Sequence, residues 1–439
     1  MHSIKKILIS ILTWEARLII RKYKPFIVAV TGSVGKTSTK DAIYCAIQDQ
    51  RGFVRKSEKS MNSEIGLPLT IIGVPNAWHS LPGWWNNIVV GFKQIIFRSV
   101  YPDCLVLEIG ADHPGDIKNV CKWLKPSIAV LTKISDTPVH VEFFKSPEEV
   151  FEEKIALAKA VKKGGTVVLF ADDHKVDKLA EELKGNGIKI ITYGTSPEST
   201  VCGVDLKVVY SGNETGEIKS PIGISFSFKI EGKEWPIILK GVLGRPYMYP
   251  LLSAIAIGHD MNVDIPTIIK SFSEYEPPRG RMRILEGVND SILIDDTYNS
   301  SPDAAVSALE TLRDLDCTGD KIAVLGDMME LGKYAGEEHR KIGDLASKIV
   351  KRLILVGPRS GSTYDEALKN GMPAESMSHF DSSDHVFEYL SSIVKAGDIV
   401  LIKGSQSMRM EKIVKALLKE PQKADRLLVR QENEWLRKV

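Results

Sequence analysis

Cysteine is scarce in this 439-residue sequence: five are scattered at positions 45, 104, 121, 202 and 317, with no C-x-x-C pair and no pairing pattern. They read as small core residues of a protein kept in a reducing, cytoplasmic compartment. There is no strong charge of either sign, since the formal net charge is only +2 with 26% charged residues. There is also no dense basic tract with interleaved aromatics, which argues against a nucleic-acid partner. No apolar run is long enough to span a bilayer, which takes roughly 20 residues; at the amino end only Ile7 to Trp14 is uninterrupted. Glu15 and Arg17 break that run and no small-residue cleavage site follows, so a signal peptide is not expected. Internal repeats and low-complexity tracts are absent as well. What remains, with 43% apolar residues, can supply more than one core, in about two to four domains.

Residues 1–25, MHSIKKILISILTWEARLIIRKYKP, form an amphipathic helix with two open readings. It docks on the first domain, or it makes peripheral contact with an anionic membrane through Lys5, Lys6, Arg17, Arg21, Lys22 and Lys24.

The chemistry starts at residues 26–40, FIVAVTGSVGKTSTK. A β-branched run ends in Thr31-Gly32-Ser33-Val34-Gly35-Lys36-Thr37-Ser38, and the DAIYCAI that follows has helical periodicity. Strand, glycine loop and helix in that order make a phosphate cradle. Backbone N–H groups converge at a helix N-terminus, Lys36 reaches the β/γ oxygens, and the Thr37 hydroxyl suits Mg²⁺. Val30 stands where the longer G-x-x-x-x-G-K-[ST] pattern has its first glycine, leaving T-G-x-x-G-K-T-[ST].

Further short apolar runs at 104–110, 128–132, 166–170 and 188–193 alternate with helical segments, which predicts a mostly parallel α/β sheet with its ligand at the strand carboxyl ends. A stretch bearing Trp78, Trp84 and Trp85 reads as a hydrophobic loop or a helix. Residues 201–240 alternate and contain turn residues (Gly212-Asn213, Glu231-Gly232), the pattern of an antiparallel β insertion. From about 284 a second α/β unit begins, with strands at 292–296, 321–326, 353–357 and 398–404. The expected domains are therefore 1–25, 26–283 and 284–439.

Residues 146–161 carry the second signal. Ser146, Pro147 and Glu149 predict a helix start with a capping box. At about 100° per residue, Val150, Phe151, Ile155, Leu157, Ala158 and Val161 share the buried arc. Lys154 falls inside it. Burying a lone ammonium depresses its pKa by up to about 3 to 5 units, so either the stem reaches the surface or a carboxylate, or Lys154 faces a site. A neutral lysine there can take up CO₂ and become a metal-binding carbamate. Glu108, at a strand end, and His140, in the loop before the Lys154 helix, supply the kinds of donor that two divalent ions on ATP require.

The motifs TGSVGKTSTK, NSEIGLPLT (62–70), LEIGADHPGDI (107–117), GRM (280–282), IDDTYNSSPDA (294–304), LGDMMELG (325–332) and KGSQSMRMEKIV (403–414) resemble the Mur ligase superfamily of ATP-dependent amide-forming ligases. Within it the resemblance is nearest to the type that adds D-alanyl-D-alanine to a UDP-muramoyl tripeptide in peptidoglycan synthesis. The resemblance implies a P-loop central domain followed by a Rossmann-like C-terminal domain, with ATP and two Mg²⁺ as cofactors. Gly32, Ser33, Val34, Gly35, Lys36, Thr37 and Ser38 would cradle the phosphates. Thr37 and Glu108 would hold one Mg²⁺, His140 the other, and Lys154 would be the carbamylated lysine. Arg281 would reach the γ-phosphate, Asp296 and Tyr298 would contact the nucleotide, and LGDMMELG with His339 would face the amine substrate. Catalysis would rest on Lys36, His140, Lys154 and Arg281.

Two departures stand out. The family's adenine segment, close to G-x-H-N-V-x-N-A-L-A-A, reads GRPYMYPLLSA at 244–254. Enzymes of this type also carry a UDP-sugar-binding domain of about a hundred residues before the glycine loop, where this sequence has 25. Three expectations follow: the active site grips the muramoyl peptide without that domain, a partner supplies it, or the acyl substrate is different. The rival functions are another amide ligase of the superfamily, acting on poly-γ-glutamate, a lipid-linked precursor or folate, and an NTPase switch.

Overall fold

The β-branched runs become strands because helices cover both their faces, so no polar alternation is needed. The computed structural model describes residues 2–58, 61–78, 80–211 and 220–436. Its first part runs α1 (His2–Tyr23), β1 (Phe26–Thr31), α2 (Lys36–Ile47), β2 (Val54–Lys56), α3 (Gly66–Ile72), α4 (Leu81–Ile96), β3 (Cys104–Glu108), α5 (Asp116–Cys121), β4 (Ile128–Leu131), α6 (Pro147–Lys159), β5 (Thr166–Phe170), α7 (Asp177–Gly185) and β6 (Lys189–Gly194). Strands β7 (Val201–Tyr210), β8 (Pro221–Ile230) and β9 (Lys233–Lys240), then α8 (Met248–Asp260) and α9 (Ile265–Ser271), complete it. The second part runs β10 (Arg283–Glu286), β11 (Ile292–Asp296), α10 (Pro302–Arg313), β12 (Lys321–Gly326), α11 (Ala335–Ser347), β13 (Arg352–Val356), α12 (Gly361–Lys369), β14 (Met377–Phe380), α13 (Val386–Ile393), β15 (Ile399–Lys403) and α14 (Glu411–Leu417).

Nine strands form one sheet in the order β2-β3-β1-β4-β5-β6-β7-β8-β9, and six form another in the order β10-β11-β15-β12-β13-β14. Alternate residues of β1 face opposite layers. Ile27 and Ala29 pack towards α1, α3, α5 and α6, whereas Val28 and Val30 pack towards α2 and α8. The latter core continues through Ala305, Leu309 and Leu312 of α10 into the second sheet. Parallel pairing of Val30 with Glu108 and of Thr31 with Leu131 brings the carboxyl ends of β1, β3 and β4 level, which is where open α/β sheets bind ligands.

The mostly parallel α/β architecture is as the sequence implies. Residues 201–240 form the expected antiparallel β insertion, and because β7 pairs in parallel with β6, at Tyr193 with Val201, β7–β9 extend the first sheet. The Gly212-Asn213 turn lies outside the described residues. The tryptophan-bearing stretch is helical over α4, and α1 docks on the first sheet's outer layer through Leu12, Ala16 and Ile19. Strands β2, β10 and β14 carry too few apolar residues to stand out in the sequence. After α14 come two single-turn helices, Ala424–Leu427 and Asn433–Leu436.

The segment joining the sheets is held by backbone pairing. Leu243 N–H donates to Met282 O (3.0 Å) and Ile284 N–H to Gly241 O (3.0 Å).

Candidate active site

The glycine loop turns where only glycine fits. Gly32 has φ +148°, and a Cβ there would lie 1.9 Å from Thr132 Oγ1. Gly35, at φ +87°, caps α2, and its missing Cβ would meet nothing within 4 Å, so the space over the first turn is open. No side chain caps α2, which leaves the N–H groups of its first turn aimed at that space. Around it, the hydroxyls of Thr31, Ser33 and Thr132 are buried with no partner among the described residues. An oxyanion is the ligand that such N–H and O–H donors suit. Two of the expected contributors point elsewhere, because the N–H groups of Ser33 and Val34 both donate to Lys133 O, at 2.9 and 3.3 Å.

Two ammonium groups converge on one carbonyl. Lys36 Nζ donates to Gly32 O at 3.0 Å, and Lys154 Nζ donates to the same oxygen at 3.0 Å. Lys154 is 4% exposed, so the helical arc that marks it as buried is correct and the snorkelling alternative is not realised. Burial, with the Lys36 charge beside it, pulls its pKa down to about 7. Burial also lowers the Lys36 value, with Arg281 acting in the same direction and Glu108 opposing.

The capping box is shifted by one residue. Ser146 stands at the N-cap but its hydroxyl accepts no cap bond, and Glu149 reaches back to the Lys145 N–H (2.8 Å). Glu153, unnoticed in the sequence, is buried beside Lys154 and accepts from the N–H groups of Gly115 (3.0 Å) and Lys118 (2.9 Å), fixing α5 against α6.

Thr37 and Glu108 meet: Thr37 Oγ1 donates to Glu108 Oε2 at 2.9 Å. The other carboxylate oxygen is held by Asn62 Nδ2 (3.0 Å), and the Glu108 N–H donates to Ser57 Oγ (3.1 Å). Asn62 opens the NSEIGLPLT motif, which is the signal that could have marked it. Adjacent hydroxyl and carboxylate oxygens are the hard donors Mg²⁺ prefers, so these residues fit that ion.

His140 is placed differently. It sits at φ +69°, with Nδ1 2.8 Å from Glu330 Oε2 and Nε2 3.5 Å from Asp112 Oδ1. No hydrogen bond among the described residues joins it to Thr37, Glu108 or Lys154. Asp112 is the link, since its charge acts on both Lys36 and Lys154. Glu330, part of LGDMMELG, comes from the second sheet, and His140 holds its carboxyl below the usual value.

Arg281 arrives from the segment between the sheets. Its guanidinium lies over the Tyr298 ring, 4.3 Å from the centroid, and its charge acts on Lys36. Three contacts steady that segment: Tyr247 OH donates to Arg281 O (2.5 Å), the Met282 N–H to Asp296 Oδ1 (3.2 Å), and Arg430 to Tyr298 O. Asp296 also pairs with Lys403, at 2.7 Å, so both its oxygens are engaged inside the protein rather than turned to a ligand. Tyr247, standing in the altered 244–254 segment, is buried and supports the arginine. His339 is buried, with both ring nitrogens bonded inside the protein. Its Nε2 accepts from the Met328 N–H (3.1 Å), so Nδ1 carries the proton and donates to Ala335 O (2.8 Å).

Residues 86–257 match the Mur ligase middle domain, and residues 280–406 match the Mur ligase glutamate ligase domain. The UDP-N-acetylmuramoyl-tripeptide--D-alanyl-D-alanine ligase of Bacillus subtilis is 26% identical over 396 residues, covering 90% of this chain and 76% of that protein. The enzyme of the same name from Buchnera aphidicola of Acyrthosiphon pisum is 28% identical over 410 residues, covering 92% and 79%. In fold, the chain is similar to the MurF ligase of Thermotoga maritima in complex with ADP, with a TM-score of 0.74 at 24% identity, over 94% of this chain and 84% of that one.

Proposed function

We propose, from the premise that this chain belongs to the Mur ligase family, that it is an ATP-dependent ligase of peptidoglycan synthesis that adds D-alanyl-D-alanine to a UDP-muramoyl tripeptide. The observation that carries this is the convergence of Lys36 and Lys154 on Gly32 O, with the Thr37–Glu108 pair alongside and Arg281 in electrostatic reach. The named relatives from Bacillus and Buchnera support the substrates, and the ADP-bound structural neighbour supports a nucleotide.

A carboxylate acylates poorly because its leaving group would be oxide. Transfer of the γ-phosphoryl group to a carboxylate oxygen breaks the phosphoanhydride, releases ADP and gives an acyl phosphate. The amine nitrogen then bonds to that carbonyl carbon, phosphate leaves, and the nitrogen gives up a proton. In this chain the first turn of α2 and Lys36 bind the phosphates, and Arg281 offsets the charge that accumulates during transfer. Thr37 and Glu108, the latter oriented by Asn62, would hold Mg²⁺, which supplies charge neutralisation on the phosphate oxygens. His140, which lies towards the second sheet with Asp112 and Glu330, would hold a second ion. Lys154, poised near neutrality, is the group to take up CO₂: the carbamate would replace a repulsive pair of ammonium groups with an attractive pair of opposite charge.

The test is phosphate release with ATP, UDP-muramoyl tripeptide and D-alanyl-D-alanine, paired with mass spectrometry of the product. One phosphate per amide is expected, with none released when the amine is left out. Phosphate release that ignores the amine would point to a nucleotide switch and overturn the ligase reading.

A further inference from the structure

Helix α4 is apolar on both faces: Trp84, Ile88 and Ile95 pack against the core, and a second apolar stripe points outward. At about 100° per residue, Leu81, Trp85, Phe92 and Ile96 fall within roughly 60° of arc, and they are 79%, 69%, 48% and 58% exposed. The residues it buries are Asn87 and Gly91. Asn87 Nδ2 donates to Pro75 O (2.8 Å), Gln94 Nε2 donates to Ile72 O (2.8 Å), and a Cβ on Gly91 would lie 2.4 Å from Glu15 Oε2 of α1. A surface helix of a globular protein ordinarily carries polar residues on its outer face. Trp14 of α1 extends the stripe, its ring centroid 6.4 Å from that of Phe92. Nine of the fifteen large apolar side chains exposed among the described residues belong to α1, α4 and the segments flanking α4. The cluster is therefore local rather than scattered.

The charge around it is predominantly basic. Residues 1–25 and 75–102 hold eight lysines and arginines and a single carboxylate, Glu15, which is fully buried. Lys22 is spent on capping α4, donating to the carbonyls of Gln94, Ile95 and Phe97 at 2.8, 3.0 and 2.6 Å. Beyond those helix ends lies a cavity of about 490 Å³ whose lining includes Tyr23, Lys24, Arg98, Ser99 and Asp103. Its carboxylate is engaged, since Asp103 Oδ2 accepts from the Phe53 N–H (3.0 Å).

We propose that the outward face of α4, with Trp14 of α1, docks in the interfacial layer of an anionic lipid bilayer, Lys24 and Arg98 facing the headgroup phosphates. The helix lies in the plane of the surface: α4 has 16 residues, about 24 Å, and no helix among the described residues is long and apolar enough to cross a membrane. Tryptophan is the side chain that favours this depth. A predominantly basic rim selects an anionic surface, whereas a second copy of the same face would meet its own charge. The cavity sits at the start of β1, and the glycine loop is at the other end of that strand, about 20 Å away, so docking leaves the nucleotide site open.

The experiment is flotation of the full chain with vesicles of phosphatidylcholine alone or mixed with phosphatidylglycerol, at low and high salt. Binding to the mixed vesicles alone, weakened by salt, is expected. The double variant Trp85→Ser, Phe92→Ser should bind at least about tenfold more weakly. Lys24→Glu with Arg98→Glu should lose the lipid preference, and both variants should keep the wild-type circular dichroism spectrum and ATP-dependent amide formation. No binding to mixed vesicles, or binding that the double variants leave unchanged, would overturn the proposal. So would a shift from dimer to monomer in Trp85→Ser, Phe92→Ser by ultracentrifugation, which would assign the face to self-association.

Discussion

Replacing Lys154 with methionine should abolish ligation while making the protein more stable near neutral pH. The ammonium is 4% exposed and shares its one acceptor with Lys36. At pH 7.5 an ordinary lysine is neutral about one time in a thousand, but with its pKa at about 7 Lys154 is neutral about three times in four. That raises the amine available to CO₂ several hundredfold. The same shift is a stability term, of order 5 kcal/mol at most. The folded state binds this proton less well than the unfolded state, so wild-type stability rises with pH between about 7 and 10.5. The methionine variant's advantage should be full below pH 7 and fade above it. Amide formation should fall at least about a hundredfold in Lys154→Met. Acetate should partly restore a Lys154→Ala enzyme, and wild type stripped of CO₂ should lose activity and regain it on adding bicarbonate. A methionine variant that keeps activity within a few-fold, or a wild type indifferent to CO₂ removal, would refute the reasoning.

Other outcomes follow from single contacts. Asn62→Leu leaves one Glu108 oxygen unheld and should raise the Mg²⁺ concentration for half-maximal activity about tenfold or more, with the kcat at saturating Mg²⁺ reporting whether position alone was lost. Gly32→Ala puts a methyl 1.9 Å from Thr132 Oγ1; it should lower the melting temperature and abolish nucleotide turnover, and normal turnover would show that the loop moves freely. Glu15 is buried with no hydrogen-bond partner among the described residues, and burial lifts its pKa from 4.5 to about 7. Its contribution is therefore full below about pH 4.5 and lost as pH rises through 7, so Glu15→Gln should slow hydrogen exchange in α1 and α4 at pH 8, by about 1 to 3 kcal/mol, and change little at pH 4.

The parts legible in the sequence were those where one local pattern decides the outcome. The glycine loop, the buried strands and the misplaced lysine of α6 each combine a period with a residue that violates it. Glu108 stood out for the same reason. What stayed hidden depends on partners far along the chain: Asn62 on Glu108, Glu330 on His140 and Tyr247 on Arg281 come together only through sheet order. Strands β2, β10 and β14 are short edge or near-edge pieces whose side chains alone do not announce pairing. Helix α4 has helical periodicity, but nothing in a hydrophobic stripe says which side faces out. Ser33 and Val34 look like part of the cradle because the motif is contiguous, yet their N–H groups are captured by Lys133 O.

The segment carrying Arg281 draws its restraints from both halves of the molecule: Tyr247 on one side, Asp296 and Arg430 on the other. A ribosome would therefore release the arginine with Tyr247 already made but long before Arg430 had been synthesised. Severing the chain near residue 284 would strand the arginine on a fragment missing half its scaffold, and the two pieces would regain function only by finding each other.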